Sequence, residues 1–228
     1  MAIFVQAGFP QMKALIRPAL FALLLLPLSG QAQFLEGVEY TRLNPQPVET
    51  GAKVEVREFF WYGCGHCYAL EPHLDSWLKT LPKNVQFIRT PGVSPEWLAH
   101  AQAYYAFETL GLVNKLHKPF FDAVQAARQT ALPNMVPFSD EDSIAAFVTR
   151  HGVDAVKFRE VYRSFDVGRK VGTAKRLNGA YQVRSVPILF VDGKYMTNAN
   201  IAGGHDKVPK VLDFLIKQAA AERSVPKK

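Results

Sequence analysis

The sequence contains only two cysteines, Cys64 and Cys67, among its 228 residues. A small fold held together by several disulfides is therefore excluded, and so is a zinc site made of four cysteines. The chain also lacks an apolar run of the roughly 18 residues that a membrane-spanning helix needs. With 48% hydrophobic and 21% charged residues, it has the composition of a globular protein and is neither collagen-like nor broadly disordered.

An extended block of basic residues is absent as well. Lys and Arg outnumber Asp and Glu by 27 to 20, which gives a formal net charge of +7, but the basic residues are scattered along the chain. A nucleic-acid site needs a clustered basic patch. We therefore interpret this charge as a solvated surface and predict no nucleic-acid partner.

Residues 12–32, MKALIRPALFALLLLPLSGQA, have the pattern of a secretory signal peptide. Two basic residues precede an apolar run, 19–28, which is too short to span a bilayer. Gly30 and Ala32 are small residues placed for cleavage before Gln33. The alternative that the pattern leaves open is an uncleaved membrane anchor.

The predicted leader occupies residues 1–32. Residues 1–11 carry none of the positive charge with which such a segment starts, so Met12 is the predicted true start of the protein. Cleavage would release the mature chain into the periplasm, an oxidising compartment in which disulfides form and persist. Two exported cysteines three residues apart then call for an explanation in redox chemistry.

The mature chain begins with a strand-helix-strand pattern. Residues 53–62 and 84–90 are rich in β-branched and aromatic residues and predict two strands. The residues between them, 64–81, predict a helix with a kink at Pro72. A helix of this length between two strands implies that the strands are parallel.

Helix signals fill the middle of the chain. Ser94 before Pro95 predicts a helix N-terminus, and Ser139 with Asp142 predicts a capping box. The other predicted helices cover 116–127, 140–150, 155–165 and 171–181. Near the end, strands at 186–191 and 194–197 surround the turn signal Asp192-Gly193, and a terminal helix is predicted at 205–221.

The motif Cys64-Gly65-His66-Cys67 follows the predicted strand 53–62 and opens a helix. The first turn of a helix has unpaired N–H groups and a partial positive charge, which stabilise an anion. Cys64 should therefore ionise at a lowered pKa, and a thiolate is both nucleophile and leaving group in disulfide exchange. His66 adds a donor or a positive charge. Cys67, one turn further and less exposed, can attack a mixed disulfide at Cys64.

A redox-active dithiol is the interpretation that we favour for this pair. A structural disulfide would close a loop of only four residues and would remove little chain entropy. A metal site would need two further ligands, and the remaining histidines are scattered singly along the sequence. No dissociable cofactor is expected, because the Cys64–Cys67 disulfide itself accepts the two electrons that are transferred.

Several segments of the chain resemble DsbA-type thiol:disulfide oxidoreductases, which are exported members of the thioredoxin superfamily. The resemblance covers nearly all of the mature chain. It rests on EFFWYGCGHCY at 58–68, the strand around Arg89, Leu110-Gly111-Leu112, Arg184-Ser185-Val186-Pro187 and Val191-Asp192-Gly193-Lys194-Tyr195. One departure is Gly65, where the commonest family sequence has proline.

The resemblance implies an α/β architecture, a thioredoxin fold with a helical insertion. The thioredoxin-fold domain would comprise 33–92 and 171–222, the insertion 93–170, and a flexible tail 223–228. The resemblance further implies a cis peptide bond between Val186 and Pro187, in a loop that faces the dithiol and binds substrate. Valine before this proline is typical of the oxidases, whereas the isomerases have threonine.

Glu58 is an acidic residue in an otherwise apolar strand, six residues before Cys64. A carboxylate in such a place needs a partner, and the resemblance implies that Arg89 on the adjacent strand supplies it beneath the active site. Two interpretations stay open. The pair either has a functional role, as a proton relay for the Cys67 thiol or as an electrostatic tuner, or is a structural ion pair.

The resemblance implies that the chain donates a disulfide to reduced, unfolded, newly exported proteins and is reoxidised by a quinone-linked membrane oxidase of the DsbB type. We expect a monomer. One alternative is a disulfide isomerase or reductase of the same compartment, although residues 33–62 are too short for the dimerisation domain that such isomerases usually carry. Another is a metallochaperone that uses the dithiol as a ligand.

Overall fold

The computed structural model describes residues 1–3, 34–133 and 135–224. Of the predicted leader at 1–32, only residues 1–3 are described. The predicted cleavage before Gln33 and the predicted start at Met12 lie outside the described residues. Phe34–Lys228 separates from Met1–Gln33 as a compact unit, and the fold described below is that of Phe34–Lys228 alone.

A five-stranded mixed sheet forms the centre of the fold, in the strand order β1-β5-β4-β2-β3. The strands are β1 (Thr41–Arg42), β2 (Val54–Phe60), β3 (Val85–Pro91), β4 (Ile188–Val191) and β5 (Tyr195–Thr197). β2 and β3 are parallel, which confirms the prediction from the strand-helix-strand pattern. β4 pairs antiparallel with both β2 and β5.

Every residue of β2 is buried, because the strand lies inside the sheet and both of its faces are covered. Successive side chains point to opposite faces. Val56 packs in a core with Leu70, while Phe59 packs on the other face with Tyr181. Glu58 shares the face of Val56, and this alternation directs its carboxyl group toward the helix that follows β2.

The helices surround the sheet and build a second core beside it. They are α1 (Gly65–Leu78), α2 (Leu98–Thr109), α3 (Val113–Arg128), α4 (Glu141–Arg150), α5 (Ala155–Tyr162), α6 (Phe165–Ala180), α7 (Ala199–Ala202) and α8 (Val208–Ser224). α1 and α8 contribute to the core that contains Val56. Helices α2 to α6 bury a largely aromatic core, and Phe60 and Tyr62 at the end of β2 belong to it. None of the helices in the described ranges is both long and apolar enough to cross a membrane.

The predicted hairpin between β4 and β5 is confirmed. Asp192 and Gly193 both have positive φ, 54° and 65°, as a tight two-residue turn of this kind requires. A Cβ atom on Gly193 would lie 2.3 Å from the backbone oxygen of Gln46. This position therefore needs glycine for two reasons, its backbone conformation and the close approach of another segment.

The predicted cap of α4 is wrong by one residue. The N-cap is Asp140, not Ser139, and its carboxylate accepts a 2.8 Å hydrogen bond from the backbone N–H of Ser143. Asp142 lies within the first turn of the helix and is not a partner of Ser139 in a capping box. An aspartate at the N-cap satisfies an otherwise unpaired N–H group and also suits the helix dipole.

The helices before β4 also differ from the prediction. The segment predicted as one helix over 155–165 ends at Tyr162, because Ser164 caps α6 by accepting a hydrogen bond from the N–H of Val167. α6 then continues without a break through residue 171, where a separate helix was expected to begin. The division into domains stays a prediction, and its limit at 170 falls inside α6.

Candidate active site

Cys64 sits at the point where the chain leaves β2 and enters α1. Its N–H donates a 2.9 Å hydrogen bond to the carbonyl oxygen of Trp61, which closes a turn after the strand. Extended backbone angles, φ −88° and ψ 116°, make Cys64 the N-cap of α1, and its sulfur accepts the N–H of Cys67 at 3.4 Å. The sulfur thus occupies the place at which a helix N-terminus stabilises an anion.

This environment lowers the pKa of the Cys64 thiol to about 6. The largest cause is a hydrogen bond from the Cys67 side chain, and the N–H groups of Cys67 and His66 and the charge of His66 act in the same direction. Partial burial opposes these effects and is outweighed. At neutral pH the Cys64 sulfur is therefore mostly thiolate, the reactive form of cysteine.

Cys67 has the opposite character. Its side chain is fully buried, and burial raises the pKa of its thiol well above the ordinary value. The negative charges that Cys64 and Glu58 can carry raise it further. Both cysteines are free thiols, and only Cys64 is partly accessible. Cys64 is therefore the sulfur that a substrate can reach, and Cys67 is the buried sulfur that can form or break a disulfide with Cys64.

Val186 and Pro187 lie directly against the dithiol. The peptide bond between them is cis, as the resemblance implies. The Cys64 thiol lies 3.2 Å from the carbonyl oxygen of Val186 and donates to it when protonated. A cleft of about 170 Å³ opens beside them, and its lining comprises His66, Ser185, Val186, Pro187, Asn198, Ala199 and Asn200.

The two residues between the cysteines are exposed on the lip of the site. The ring of His66 lies parallel to that of His205, with 5.7 Å between the centroids and 15° between the planes. A Cβ atom on Gly65 would meet only the side-chain oxygen of Gln125, at 3.9 Å. The structure therefore leaves room for a larger residue at this position.

Glu58 lies fully buried on β2 and accepts no hydrogen bond from the described residues. Burial is the largest cause that raises the pKa of its carboxyl group to about 8, and the charge of Glu71 adds to it. Arg89 Nε is 3.4 Å from a carboxyl oxygen of Glu58. The predicted proximity of the two residues is thus present, but the contact is long.

The better partner of Arg89 is Glu71 on α1, a residue that the sequence analysis did not single out. Arg89 Nη2 lies 3.0 Å and 3.3 Å from the two carboxyl oxygens of Glu71. Glu71 is four residues after Cys67, on the same buried face of α1. This spacing is a signal that sequence reasoning could have used, because a carboxylate one turn beyond a buried cysteine shares its surroundings.

His117 and Tyr62 complete the buried group. The Tyr62 hydroxyl and His117 Nδ1 are 2.8 Å apart, and His117 Nε2 is 3.4 Å from a carboxyl oxygen of Glu71. In the sequence this histidine is one of several that are scattered singly along the chain. No signal distinguished it, since a histidine in the apolar stripe of a helix has the same pattern as a packed core residue.

Comparison with known proteins identifies the family to which this site belongs. The model of the DsbA-like thioredoxin domain matches residues 93–215, which is more than half of the chain. The thiol:disulfide interchange protein DsbA of Pseudomonas aeruginosa is 36% identical over 222 residues, covering 95% of this chain and all of the relative. The chain belongs to the DsbA-like thioredoxin family. The family match begins after Cys67, whereas the match to the relative includes the dithiol.

Other DsbA-like proteins agree with this assignment. The thiol:disulfide interchange protein DsbA of Pseudomonas syringae is 36% identical, with 92% of this chain and 97% of the relative covered. The crystal structure of Pseudomonas aeruginosa DsbA has a TM-score of 0.77 and 35% identity, covering 84% of this chain and 97% of that structure. The fold is therefore a DsbA-like thioredoxin fold, and the α/β architecture with additional helices expected from the sequence is confirmed.

Proposed function

We propose that this chain is a protein thiol:disulfide oxidoreductase that donates the Cys64–Cys67 disulfide to other proteins. A substrate thiolate attacks the Cys64 sulfur, a mixed disulfide forms, and Cys67 leaves as a thiolate that takes up a proton. A second substrate thiolate then attacks the substrate sulfur of the mixed disulfide, and Cys64 leaves as a thiolate. The substrate gains a disulfide and loses two electrons, while the dithiol of the protein becomes reduced.

The observation that supports this direction of transfer is the stabilised thiolate of Cys64. A low pKa makes Cys64 a good leaving group, because the rate of exchange rises as the pKa of the departing thiol falls. It also lowers the free energy of the reduced protein relative to the oxidised one. Both effects favour the donation of a disulfide over the reduction of one.

The cleft beside the dithiol supports binding of an extended substrate segment. Pro187 has no backbone N–H, so a segment next to it can accept backbone hydrogen bonds only from the neighbours of Pro187. Val186 is the neighbour in contact with Cys64. We propose that Val186 and Pro187 align the substrate backbone so that its cysteine sulfur meets Cys64. His66 lines the same cleft and would face the incoming segment.

The biological setting is part of the proposal. The substrates are reduced, unfolded, newly exported proteins, and the compartment is the periplasm, which the predicted signal peptide supports. Reoxidation falls to a quinone-linked membrane oxidase of the DsbB type. The protein acts as a monomer, and it needs no dissociable cofactor because the electrons reside in the Cys64–Cys67 pair.

The test is a pair of serine variants of the mature protein, mixed with a reduced peptide that contains two cysteines and an oxidant such as oxidised glutathione. Cys67→Ser should accumulate mixed disulfides at Cys64, since the buried second thiol is missing, and non-reducing gels with mass spectrometry would detect them. Cys64→Ser is the matched control and should form none. Adducts in Cys64→Ser but not in Cys67→Ser would reverse the two roles.

The same experiment separates the alternatives. Wild-type oxidised protein should convert the reduced peptide to its disulfide form at one equivalent per chain. A reductase would leave the peptide reduced, and an isomerase would act only on a peptide with mispaired cysteines. Retention of one copper or zinc ion per chain through purification, with no transfer of a disulfide, would favour the metallochaperone.

A further inference from the structure

His117 on α3 is a buried titratable residue that the exchange reaction, as described, does not use. Only 6% of it is exposed. Four aromatic rings surround it with centroid distances between 5.2 Å and 6.0 Å, namely Phe60, Tyr62, Tyr104 and Phe121. This cage fixes the ring plane and directs its two nitrogens to different partners.

The partners of the two nitrogens determine which of them carries the proton. Burial lowers the pKa of His117, so its ring is neutral, and burial raises the pKa of Tyr62, so its hydroxyl keeps its proton. A neutral hydroxyl can donate to Nδ1 or accept from it, so the group that faces Nε2 decides between the two tautomers. Nε2 lies 3.4 Å from a carboxyl oxygen of Glu71, a contact without hydrogen-bond geometry, and a proton on Nε2 turns the positive end of the N–H dipole toward this carboxylate. The Tyr62 hydroxyl then donates to Nδ1. The opposite tautomer would place two lone pairs against each other between Nε2 and Glu71.

Glu71 and Glu58 compete for the single positive charge of Arg89. Arg89 is hydrogen-bonded to Glu71 through Nη2, while its contact with Glu58 is 3.4 Å long and lacks hydrogen-bond geometry. Burial acts to raise the pKa of Glu71, but His117 and Arg89 outweigh it and the pKa is lowered. The pKa values of these two buried carboxyl groups are thus shifted in opposite directions, so that Glu71 is ionised and Glu58 is protonated.

We propose that His117 is a positioning residue whose Nε2–H dipole stabilises the ionised Glu71 beside Arg89, so that the proton shared by the two carboxyl groups stays on Glu58. This inference rests on the proposed function only in the role of that proton. Glu58 lies near enough to Cys67 for its charge to raise the pKa of that thiol, and its proton can pass to the Cys67 thiolate when this leaves the disulfide. The Tyr62 hydroxyl acts one step further back, because its hydrogen bond to Nδ1 stabilises the tautomer of His117 that carries the proton on Nε2.

The charged and titratable groups that face His117 come from four elements. α1 contributes Glu71 and Asp75, and Arg89 comes from β3. Tyr62 follows β2, and Tyr104 lies on α2. Asp75 is about half exposed and comes no closer to Arg89 than 3.9 Å, whereas Glu71 lies at 3.0 Å. Water therefore screens the charge of Asp75, which does not replace that of Glu71.

The test is the titration of the buried carboxyl groups in the intact reduced protein. Glutamate labelled with ¹³C at the side-chain carboxyl group reports each titration by NMR, and Glu58→Gln and Glu71→Gln assign the two signals. The Glu58 signal of the wild type should have its midpoint near pH 8. In His117→Phe, which preserves the aromatic cage, that midpoint should fall by about one unit or more, a tenfold change in the protonation equilibrium. The Glu71 midpoint should rise.

Two controls separate the imidazole from its volume. His117→Gln retains an N–H that can reach Glu71 and should restore both midpoints to within about half a unit. His100→Phe removes the other fully buried histidine, which contacts the Pro137 carbonyl oxygen and no carboxylate, and should leave both midpoints unchanged. If His117→Phe does not fold, Tyr62→Phe is the second variant, and the same shifts are expected at smaller size.

Unchanged midpoints in His117→Phe, or in Tyr62→Phe where the former does not fold, would overturn the proposal. So would the same shift in His100→Phe. The titration requires no disulfide exchange, so its outcome is independent of the proposed function. A wild-type protein that shows the expected titrations but oxidises no peptide would contradict the proposed function alone.

Discussion

Two thiols three residues apart have pKa values shifted in opposite directions in this protein, and the immediate surroundings of each sulfur account for the difference. Cys64 receives N–H groups at a helix N-terminus, while Cys67 is enclosed by the core and lies near the buried carboxyl group of Glu58. Sequence reasoning could predict the first of these facts, because the position of Cys64 follows from a strand signal followed by a helix signal. It could not predict the involvement of His117, because the charged and titratable groups that face it come from four separate elements.

The low pKa of Cys64 predicts a specific pH dependence. The absorbance of the thiolate near 240 nm, followed in the reduced protein with Cys64→Ser as the blank, should rise with a midpoint near pH 6. A midpoint near the unperturbed value of about 8.5 would show that the helix N-terminus does not act on this sulfur.

The same shift predicts how the stability of the reduced protein depends on pH. The folded-state pKa of Cys64 lies below its unfolded value, so the thiolate contributes stability that is complete above the unfolded pKa and is lost as the pH falls through about 6. The urea midpoint of the reduced wild type, measured against Cys64→Ser, should therefore decrease between pH 8 and pH 5. A constant difference between the two proteins over this range would contradict the linkage.

At the scale of elements, the first turn of α1 is the part that positions the chemistry. Gly65 is the first residue of this helix, and Cys64 before it has the extended backbone that a residue preceding proline adopts. The N–H groups that stabilise the sulfur belong to His66 and Cys67, not to Gly65. The glycine is thus not needed for the turn or for space.

Gly65→Pro should therefore fold normally and be stabilised by about 0.5 to 1 kcal/mol, since proline suits the first helical position and restricts the unfolded chain. Its redox potential should change by tens of millivolts. Gly193→Ala is the contrasting control and should lose more than about 1 kcal/mol, because its φ is 65° and its Cβ would meet Gln46. Urea unfolding measures both, and equal effects at the two glycines would refute this account of the turn.

The cap of α4 gives a second prediction at this scale. Asp140→Ala should destabilise the protein by about 1 kcal/mol, because the N–H of Ser143 loses its acceptor. Ser139→Ala, one residue earlier, should change the free energy of unfolding by less than about 0.5 kcal/mol. The reverse order of the two effects would restore the capping box expected from the sequence.

Most elements could be predicted from local patterns, and the errors have local causes. The strands β2 and β3 and the β4–β5 hairpin follow from β-branched residues and from Asp192-Gly193. The limits of α4 and α6 were missed because several adjacent polar residues can each serve as a cap, as at Ser139 and Asp140, and only the hydrogen bond decides between them. Glu71 differs, since its spacing from Cys67 was a usable signal that it is buried beside the dithiol, but its pairing with Arg89 depends on a distance to another element.

At the scale of the whole molecule, the fold makes one redox state more favourable than the other. The reduced form gains the stabilised Cys64 thiolate, and the oxidised form has no charge at this helix N-terminus. Each pKa unit by which the thiol lies below the working pH is worth about 1.4 kcal/mol, or roughly 30 mV for a two-electron couple. A protein with this asymmetry is suited to give its disulfide away.

The equilibrium of the Cys64–Cys67 pair with a glutathione buffer at pH 7 tests this claim most directly. Mixtures of reduced and oxidised glutathione, quenched with acid and alkylated, give the fraction of reduced protein by mass and hence the potential. The thioredoxin thiol has a pKa of about 7, so a Cys64 pKa near 6 should make the potential less negative than the thioredoxin value of about −270 mV by on the order of 30 mV. A potential equal to that of thioredoxin, or more negative, would contradict a disulfide donor and would indicate a reductase.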